Sequence, residues 1–386
     1  MKTHLAVRVG APVVVVAALV AAGALPAQAT PAGGPKPPVG QVQVLATGLD
    51  NPRGLTFGPG GQLFIAEAGH GGPLALGDGP EGALYAGLTA RLGVWSGGAV
   101  THPITGLFSA AGQDGTAAEG LVSVDAQGRW LTGQMAENTS PVPTQIPPGN
   151  PIVDAARAQL GRTVSLDPGA GTWSPIASTG DADFAWSAAH KELNDQFPDA
   201  NPNDVITVGN TRWVADAGTN ILARVDRGGA VSTVAYLDVP PGSPTDAVPT
   251  CVAQAPDGSF YLGELLGGSF APGGARVWQV WPDGTAKVKW TGFTAIQGCG
   301  FDGSGNFYVT EFQTGGLNPS PSGDPRGALI KISPSGQRTT YGVGQLFFPS
   351  GFAFRGGQVY LSNWSIMPTA GPNGLSGQLV RINVGG

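Results

Sequence analysis

One unit recurs six times along this chain, and that repetition limits the fold more than any other feature. Val248-Pro-Thr-Cys-Val-Ala-Gln-Ala-Pro-Asp-Gly-Ser-Phe-Tyr-Leu-Gly-Glu264 sets beside Ile296-Gln-Gly-Cys-Gly-Phe-Asp-Gly-Ser-Gly-Asn-Phe-Tyr-Val-Thr-Glu311. Each reads as a short strand, a Gly-rich hairpin and a second strand ending in glutamate. Asn51 to Glu67, Asn201 to Asp216 and Pro349 to Asn363 repeat the pattern, and Glu119 to Gln134 is a weaker copy. Most units run on into a second hairpin, clearest from Arg276 to Trp290 around Pro-Asp-Gly. The others are Leu92 to Ile104, Thr163 to Ile176, Ile221 to Val234 and Ala328 to Tyr341. A four-stranded antiparallel unit buries both faces only by stacking on neighbours around an axis. The repeat therefore predicts an all-β, six-bladed β-propeller.

The two ends of the repeat are complementary. The sixth unit stops at its third strand, Leu379 to Val384, and lacks a fourth. Gln41 to Leu49 precedes the first unit and resembles Ala286 to Phe293, a fourth strand. Residues 42–46 are expected to complete the last blade and close the ring, which leaves no open edge.

The N-terminus reads as a signal for export. Lys2, His4 and Arg8 precede an apolar run from Ala11 to Leu25, followed by Ala27-Gln-Ala29. This is the layout of a secretory signal peptide cleaved near Ala29. The alternative is a membrane anchor, but the run is broken by Pro12 and Gly23 and is short for a span. The expected organisation is a signal peptide over 1–29, a Pro/Gly-rich linker over 30–41 and a propeller over 42–386. The mature chain is expected to be secreted, extracellular, monomeric and not embedded in a membrane. Cleavage removes Lys2 and Arg8 and no acid, so the formal charge moves from −6 to −8. A chain this acidic, without basic runs, is a poor partner for nucleic acid or an anionic membrane. The expected partner is an extracellular small molecule, glycan or protein.

Alternation of strands places the candidate site. The connections from second to third strand are long in five units: Ala68 to Ala90, Ala136 to Leu160, Leu265 to Ala275, Phe312 to Gly327 and Trp364 to Gly377. They lie on the same face as the starts of the innermost strands, and long loops in a compact domain often carry function. In the third unit, where that loop is short, Asp183 to Phe197 is expected as a helix capping the same face, with Val153 to Leu160 as a second helix. Residues starting the innermost strands would line the mouth of the channel: Arg53, Glu119, Asn203, Asp204, Thr250, Gln297 and Ser350. Calcium needs six to eight oxygens, and Glu119, Asn203 and Asp204 are the only core such a site could have. A second set of acids, Glu67, Asp216, Glu264 and Glu311, ends the second strands, with Asn363 in the sixth unit. A ring of cation or sugar ligands is one reading of these. Carboxylates accepting backbone N–H groups at turns is the other, and it is favoured.

Other chemistry is thinly represented. His70, His102 and His190 are the only histidines of the mature chain, and His70 lies in a Gly-rich loop on the candidate face. There is no Gly-x-Ser-x-Gly elbow. Gly77 to Gly82 matches a dinucleotide fingerprint by letters without the strand-to-helix context. Asp302 to Asn306 looks like a calcium loop but falls at a hairpin turn. Cys251 and Cys299, the only cysteines, share one position in neighbouring units, and in an exported chain are expected to form a disulfide.

With the blades laid out, the chain resembles the ScyD/ScyE family of secreted propellers over the whole mature region. The carriers are Gly48-Leu-Asp-Asn-Pro-Arg-Gly-Leu-Thr-Phe57, Leu63-Phe-Ile-Ala-Glu-Ala68, Val214-Ala-Asp-Ala-Gly218, Val248-Pro-Thr-Cys251 and Tyr261-Leu-Gly-Glu-Leu265. Asn201-Pro-Asn-Asp204 departs from the family's Asn-Pro-x-Gly at a position expected in the channel. The resemblance implies the fold and export and names no activity; a wider likeness to NHL-repeat propellers implies surfaces that bind partners. The functional expectation is a non-catalytic binding or scaffold propeller. A calcium-dependent hydrolase or lactonase-like enzyme is the alternative. A quinone-dependent sugar dehydrogenase would need a dedicated His base and a basic cofactor cradle, and neither is visible.

Overall fold

The computed structural model describes residues 37–79, 82–140, 149–193, 198–239, 245–268, 270–316, 324–366 and 376–385. The expected signal peptide lies outside them. Six antiparallel sheets follow one another around an axis. Blade 2 pairs Leu121–Gln127, Trp130–Met135, Arg162–Asp167 and Thr172–Ser178 in that order from the axis outward. Blades 3, 4 and 5 repeat this with innermost strands Pro202–Val208, Pro249–Gln254 and Ile296–Phe301. Blade 1 starts at Pro52–Phe57, and blade 6 at Phe352–Arg355.

The ring closes as its ends foretell. Val42–Leu49 runs antiparallel to Gly377–Asn383, with Val44 opposite Val380, and forms the outer strand of blade 6. The tie begins before residue 42. Val39 bridges Asn383, and the Asn383 side chain donates to Pro37 O at 2.9 Å. That end of the expected linker is therefore anchored to blade 6.

The core is a set of seams between blades. Leu121, Val124 and Val164 of blade 2 pack on Ala66, Leu92 and Ile104 of blade 1. Leu45, Tyr360 and Leu379 of blade 6 pack on Leu55, Ile65 and Trp95 of blade 1. Successive residues of one strand enter opposite seams: Leu63 and Ile65 pack toward blade 6, Phe64 and Ala66 toward blade 2, so the strand Leu63–Glu67 is buried on both faces.

Two long-loop features differ from expectation. Ala68 to Ala90 is largely a hairpin: Leu74–Gly79 pairs with the extended third strand Gly82–Ser96 and gives blade 1 a fifth strand. The capping helix α2 spans Thr179–Ala189, earlier than the expected 183–197, whose last residues lie outside the described ones. Its start follows the outer strand of blade 2 directly, so chain continuity and not apolar content sets its position. Helix α1, Pro151–Gln159, is capped by the Asn150 side chain bonding Ile152 N, with Pro151 in the first turn. It packs Val153, Ala156 and Leu160 against Ala86 and Phe108 of blade 1. No helix among the described residues is long and apolar enough to cross a membrane.

Candidate functional site

The innermost strands surround an axial cavity of about 320 Å³, within the size range of small-ligand sites. Six of the seven residues expected at its mouth line it: Arg53, Asn203, Asp204, Thr250, Gln297 and Ser350. Glu119 does not line it; it is half-buried, and its backbone is bridged to Ala110. All six blades thus contribute, since blade 2 adds Ser123 and Asp125.

Asp204 and Thr250 are engaged within the wall. Asp204 Oδ1 accepts from Ser123 Oγ at 2.6 Å and from Val205 N at 2.9 Å. Its Oδ2 accepts from Val252 N at 2.9 Å. One carboxylate therefore joins blades 2, 3 and 4. Burial pushes the Asp204 carboxyl up to about 6 against the pull of these donors. Thr250 Oγ1 donates to Ile296 O at 2.6 Å and joins blades 4 and 5. The same seam holds the Cys251–Cys299 disulfide, with Cα atoms 5.6 Å apart.

Arg53, Asn203 and Gln297 remain as the groups presented at the mouth. Gln297 Nε2 reaches Asn203 Oδ1 at 3.4 Å, spanning from blade 5 to blade 3. The Arg53 guanidinium donates to Ala118 O at 3.2 Å, while its Nε is buried without a partner among the described residues. Burial pulls the Arg53 pKa down and nearby Glu119 pushes it up. The result is one desolvated cation and two amides at the mouth, a set suited to carboxylate or hydroxyl oxygens.

The second-strand acids are spread around the ring, each on its own blade. Glu67 Oε2 accepts from Asp50 N, Asp216 Oδ1 from Asn201 N, Glu311 Oε1 from Thr294 N and Asn363 Oδ1 from Phe347 N. In blades 1, 3 and 5 the acceptor holds the N–H just ahead of the same blade's innermost strand, and in blade 6 it holds the N–H that ends the outer strand of blade 5. Asp216 also accepts from Thr219 N in the turn that follows. Glu264 instead binds Arg276 and the Trp278 indole N–H. Repetition of the residue type reflects repetition of a backbone junction. The Asp302 carboxylate likewise accepts from Ser304 N and Asn306 N within its own turn.

Sequence reasoning passed over a buried group of acids between blades 2 and 3. Burial and the neighbouring Asp216 carboxylate hold Asp183 of α2 well above the usual range, and burial raises Asp216. Asp183 Oδ2 and Asp216 Oδ2 are both buried with no hydrogen-bond partner among the described residues. Burial and the neighbouring carboxylates Glu119, Asp199 and Asp216 hold Glu137 well above the usual range. Burial and Asp216 push Asp199 up to about 7. These residues are far apart in sequence and carry no shared motif. Ser123 and Asp125 were also missed. Their signal was present: two polar residues alternating along an innermost strand.

No three His, Cys, Asp or Glu side chains among the described residues are arranged to hold a metal ion. Glu119, Asn203 and Asp204 fit calcium poorly, because both Asp204 oxygens are taken and Glu119 lies outside the cavity lining.

Solved structures share this architecture. A Bacteroides thetaiotaomicron protein of unknown function aligns with a TM-score of 0.54 at 11% identity, covering 88% of this chain and 72% of that one. A Thermus thermophilus protein assigned as an oxidoreductase (glucose dehydrogenase) gives 0.52 at 12%, covering 88% and 99%. A protein assigned as a gluconolactonase gives 0.50 at 13%, covering 90% and 93%. No family model and no curated protein matches the sequence. The chain is a six-bladed β-propeller, and at these identities the likeness extends to the fold alone.

Proposed function

We propose that this protein is a secreted, monomeric binding propeller that holds a small polar extracellular molecule at the channel mouth. The observation that carries this is the division of labour among the wall residues. Asp204 and Thr250 are tied into the seams, while Arg53, Asn203 and Gln297 meet the cavity with capacity to spare. A buried guanidinium beside two amides favours a ligand with a carboxylate and hydroxyls, such as a sugar acid. The signal-like N-terminus supports export, and the motifs from Gly48 to Leu265 support membership of the ScyD/ScyE family.

The test is calorimetry of the mature chain from Thr30 against an array of neutral sugars, sugar acids and short peptides. Arg53→Met is expected to weaken binding of acidic members about 10-fold or more, while leaving the melting temperature near that of the unmodified chain. Equal affinity of both proteins for every acidic member would sink the proposal. The second reading is a calcium-dependent hydrolase at Glu119, Asn203 and Asp204, in line with the gluconolactonase assignment of one structural neighbour. It requires a rise in melting temperature with calcium, removed by EDTA and absent in Glu119→Gln.

A further inference from the structure

Blade 1 carries a pair of side chains that neither the channel nor the seams use. His70 stands on the long-loop face with ring Nδ1 2.6 Å from Asp50 Oδ2. The His70 side chain is 43% exposed and that of Asp50 2%. Asp50 is thus a buried carboxylate aimed at an accessible imidazole, and its Oδ1 has no hydrogen-bond partner among the described residues. With Asp50 ionised, the carboxylate accepts from Nδ1–H and leaves the lone pair on Nε2. The Asp50 carboxyl is raised by burial, and the His70 contact opposes that rise.

The backbone around the ring is pinned. His70 N donates to Thr89 Oγ1 at 2.9 Å and Gly71 N to Ser109 Oγ at 3.0 Å. The Asn51 amide donates to Gly69 O and to Gly115 O, at 2.6 and 2.8 Å. Gly69 has a φ of +80°, and a Cβ there would lie 2.6 Å from Ala90 N. The loop can therefore hold no other residue type at Gly69 without a shift of that backbone. The same Asn51 amide ties it to the turn that leads to Ala118, whose carbonyl holds Arg53. Asp50 and Arg53 are three residues apart, so their Cα atoms are separated by no more than about 10 Å.

We propose that His70, oriented by Asp50, is a general base in the blade 1 loop on the long-loop face that activates water against a small ester or lactone whose acidic or hydroxylated end sits at Arg53. The placement of the substrate rests on the channel-mouth reading above; the dyad itself does not. Nε2 takes a proton from water as the water oxygen bonds to the carbonyl carbon, and the carbonyl π pair moves to its oxygen. When that pair returns, the bond to the alkoxy oxygen breaks and the imidazolium returns its proton to the leaving oxygen. Lactone and water give the hydroxy acid, with no other reactant. His70 is the catalytic residue and Asp50 a positioning residue.

The experiment follows hydrolysis of sugar-acid lactones and p-nitrophenyl esters by the EDTA-treated mature chain, alongside calorimetric binding of the hydroxy-acid products. His70→Gln, an exposed change, is expected to lower kcat/KM about 100-fold or more with product affinity unchanged. Asp50→Asn is expected to lower kcat about 10-fold, to shift the pH–rate profile and to move the neutral ring from the Nδ1–H to the Nε2–H tautomer in ¹⁵N spectra. Should that variant not fold, the tautomer of the unmodified protein still decides, since an Nε2–H ring at His70 overturns the dyad. No hydrolysis by the unmodified chain, or equal rates for His70→Gln, overturns it as well. Binding that depends on Arg53 without hydrolysis removes the dyad and keeps the channel site. Hydrolysis that depends on His70 but not on Arg53 removes the substrate placement and keeps the base.

Discussion

The two sides of the ring are joined by different chemistry. From blade 5 through blades 6 and 1 to blade 2, innermost strands meet backbone to backbone at glycine. A Cβ on Gly54 would lie 2.8 Å from Ser123 Cα, one on Gly298 2.8 Å from Ser350 O, and one on Gly351 2.8 Å from Gly54 Cα. From blade 2 through blade 3 to blade 4, side chains bridge the strands. Asp125 accepts from Thr207 N at 2.7 Å and Asp204 from Val252 N at 2.9 Å. Glycine contacts carry no charge and no titration. Carboxylate contacts satisfy strand-edge N–H groups that would otherwise be buried and unpaired, and they make that side sensitive to pH. The difference also explains why acids at the channel invite a metal reading: some of them replace glycine as the means of joining blades.

The largest expected effect breaks the glycine side. Gly54→Val drives a branched side chain into the blade 2 backbone, where no flexible group can yield. It should cost about 3 kcal/mol in urea unfolding, or prevent folding outright. A loss under about 1 kcal/mol would show that the strands can part freely and that close approach there is incidental.

The carboxylate side should respond to pH instead. Asp199 at about 7 and Asp204 at about 6 are raised above the ordinary aspartate value by burial. The folded state therefore holds these protons more tightly than the unfolded chain. Their contribution is fully present below the unfolded pKa and is lost as pH rises through the folded values. Stability should fall by on the order of 2 kcal/mol between pH 5 and pH 8, read from urea midpoints at each pH. Asp183→Asn should flatten part of that fall, since it removes a carboxyl raised by burial and by the Asp216 carboxylate. A flat profile in the unmodified chain would remove the distinction between the two sides.

The smallest effect sharpens the comparison at a single seam. Asp204→Asn keeps the shape and one acceptor but loses the second oxygen's bond to blade 2 or blade 4. It should cost about 1 kcal/mol at pH 5 and less at pH 8, because the variant no longer buries a charge. A cost that grows with pH would mean that the ionised carboxylate is the favoured form in the wall.

The repeat made most of this fold legible. Strand pairs such as Asn51 to Glu67 and Ile296 to Glu311 announce themselves because alternation and turn chemistry are local in sequence. The complementary ends at Gln41 to Leu49 and Leu379 to Val384 were legible for the same reason, as was the Cys251–Cys299 disulfide, once the two cysteines were seen to share a blade position. The residues of the mouth were also placed by register alone, except Glu119, which precedes its strand and is not among the residues lining the cavity. What each residue does there was not legible. Asp204 reads identically in sequence whether it binds a ligand or a neighbouring blade, and only the position of Val252 N distinguishes them. His70 looked like an isolated loop residue until the fold placed Asp50 behind it.

By itself, then, the sequence determined the six blades, their strand order, the closure of the ring and the face bearing the long loops, because each follows from patterns a few residues long. The tertiary structure alone decided which polar groups are tied into seams and which remain free to act. It did so because pairing between Asp204 and Val252, or between His70 and Asp50, depends on distances between segments that share no local pattern.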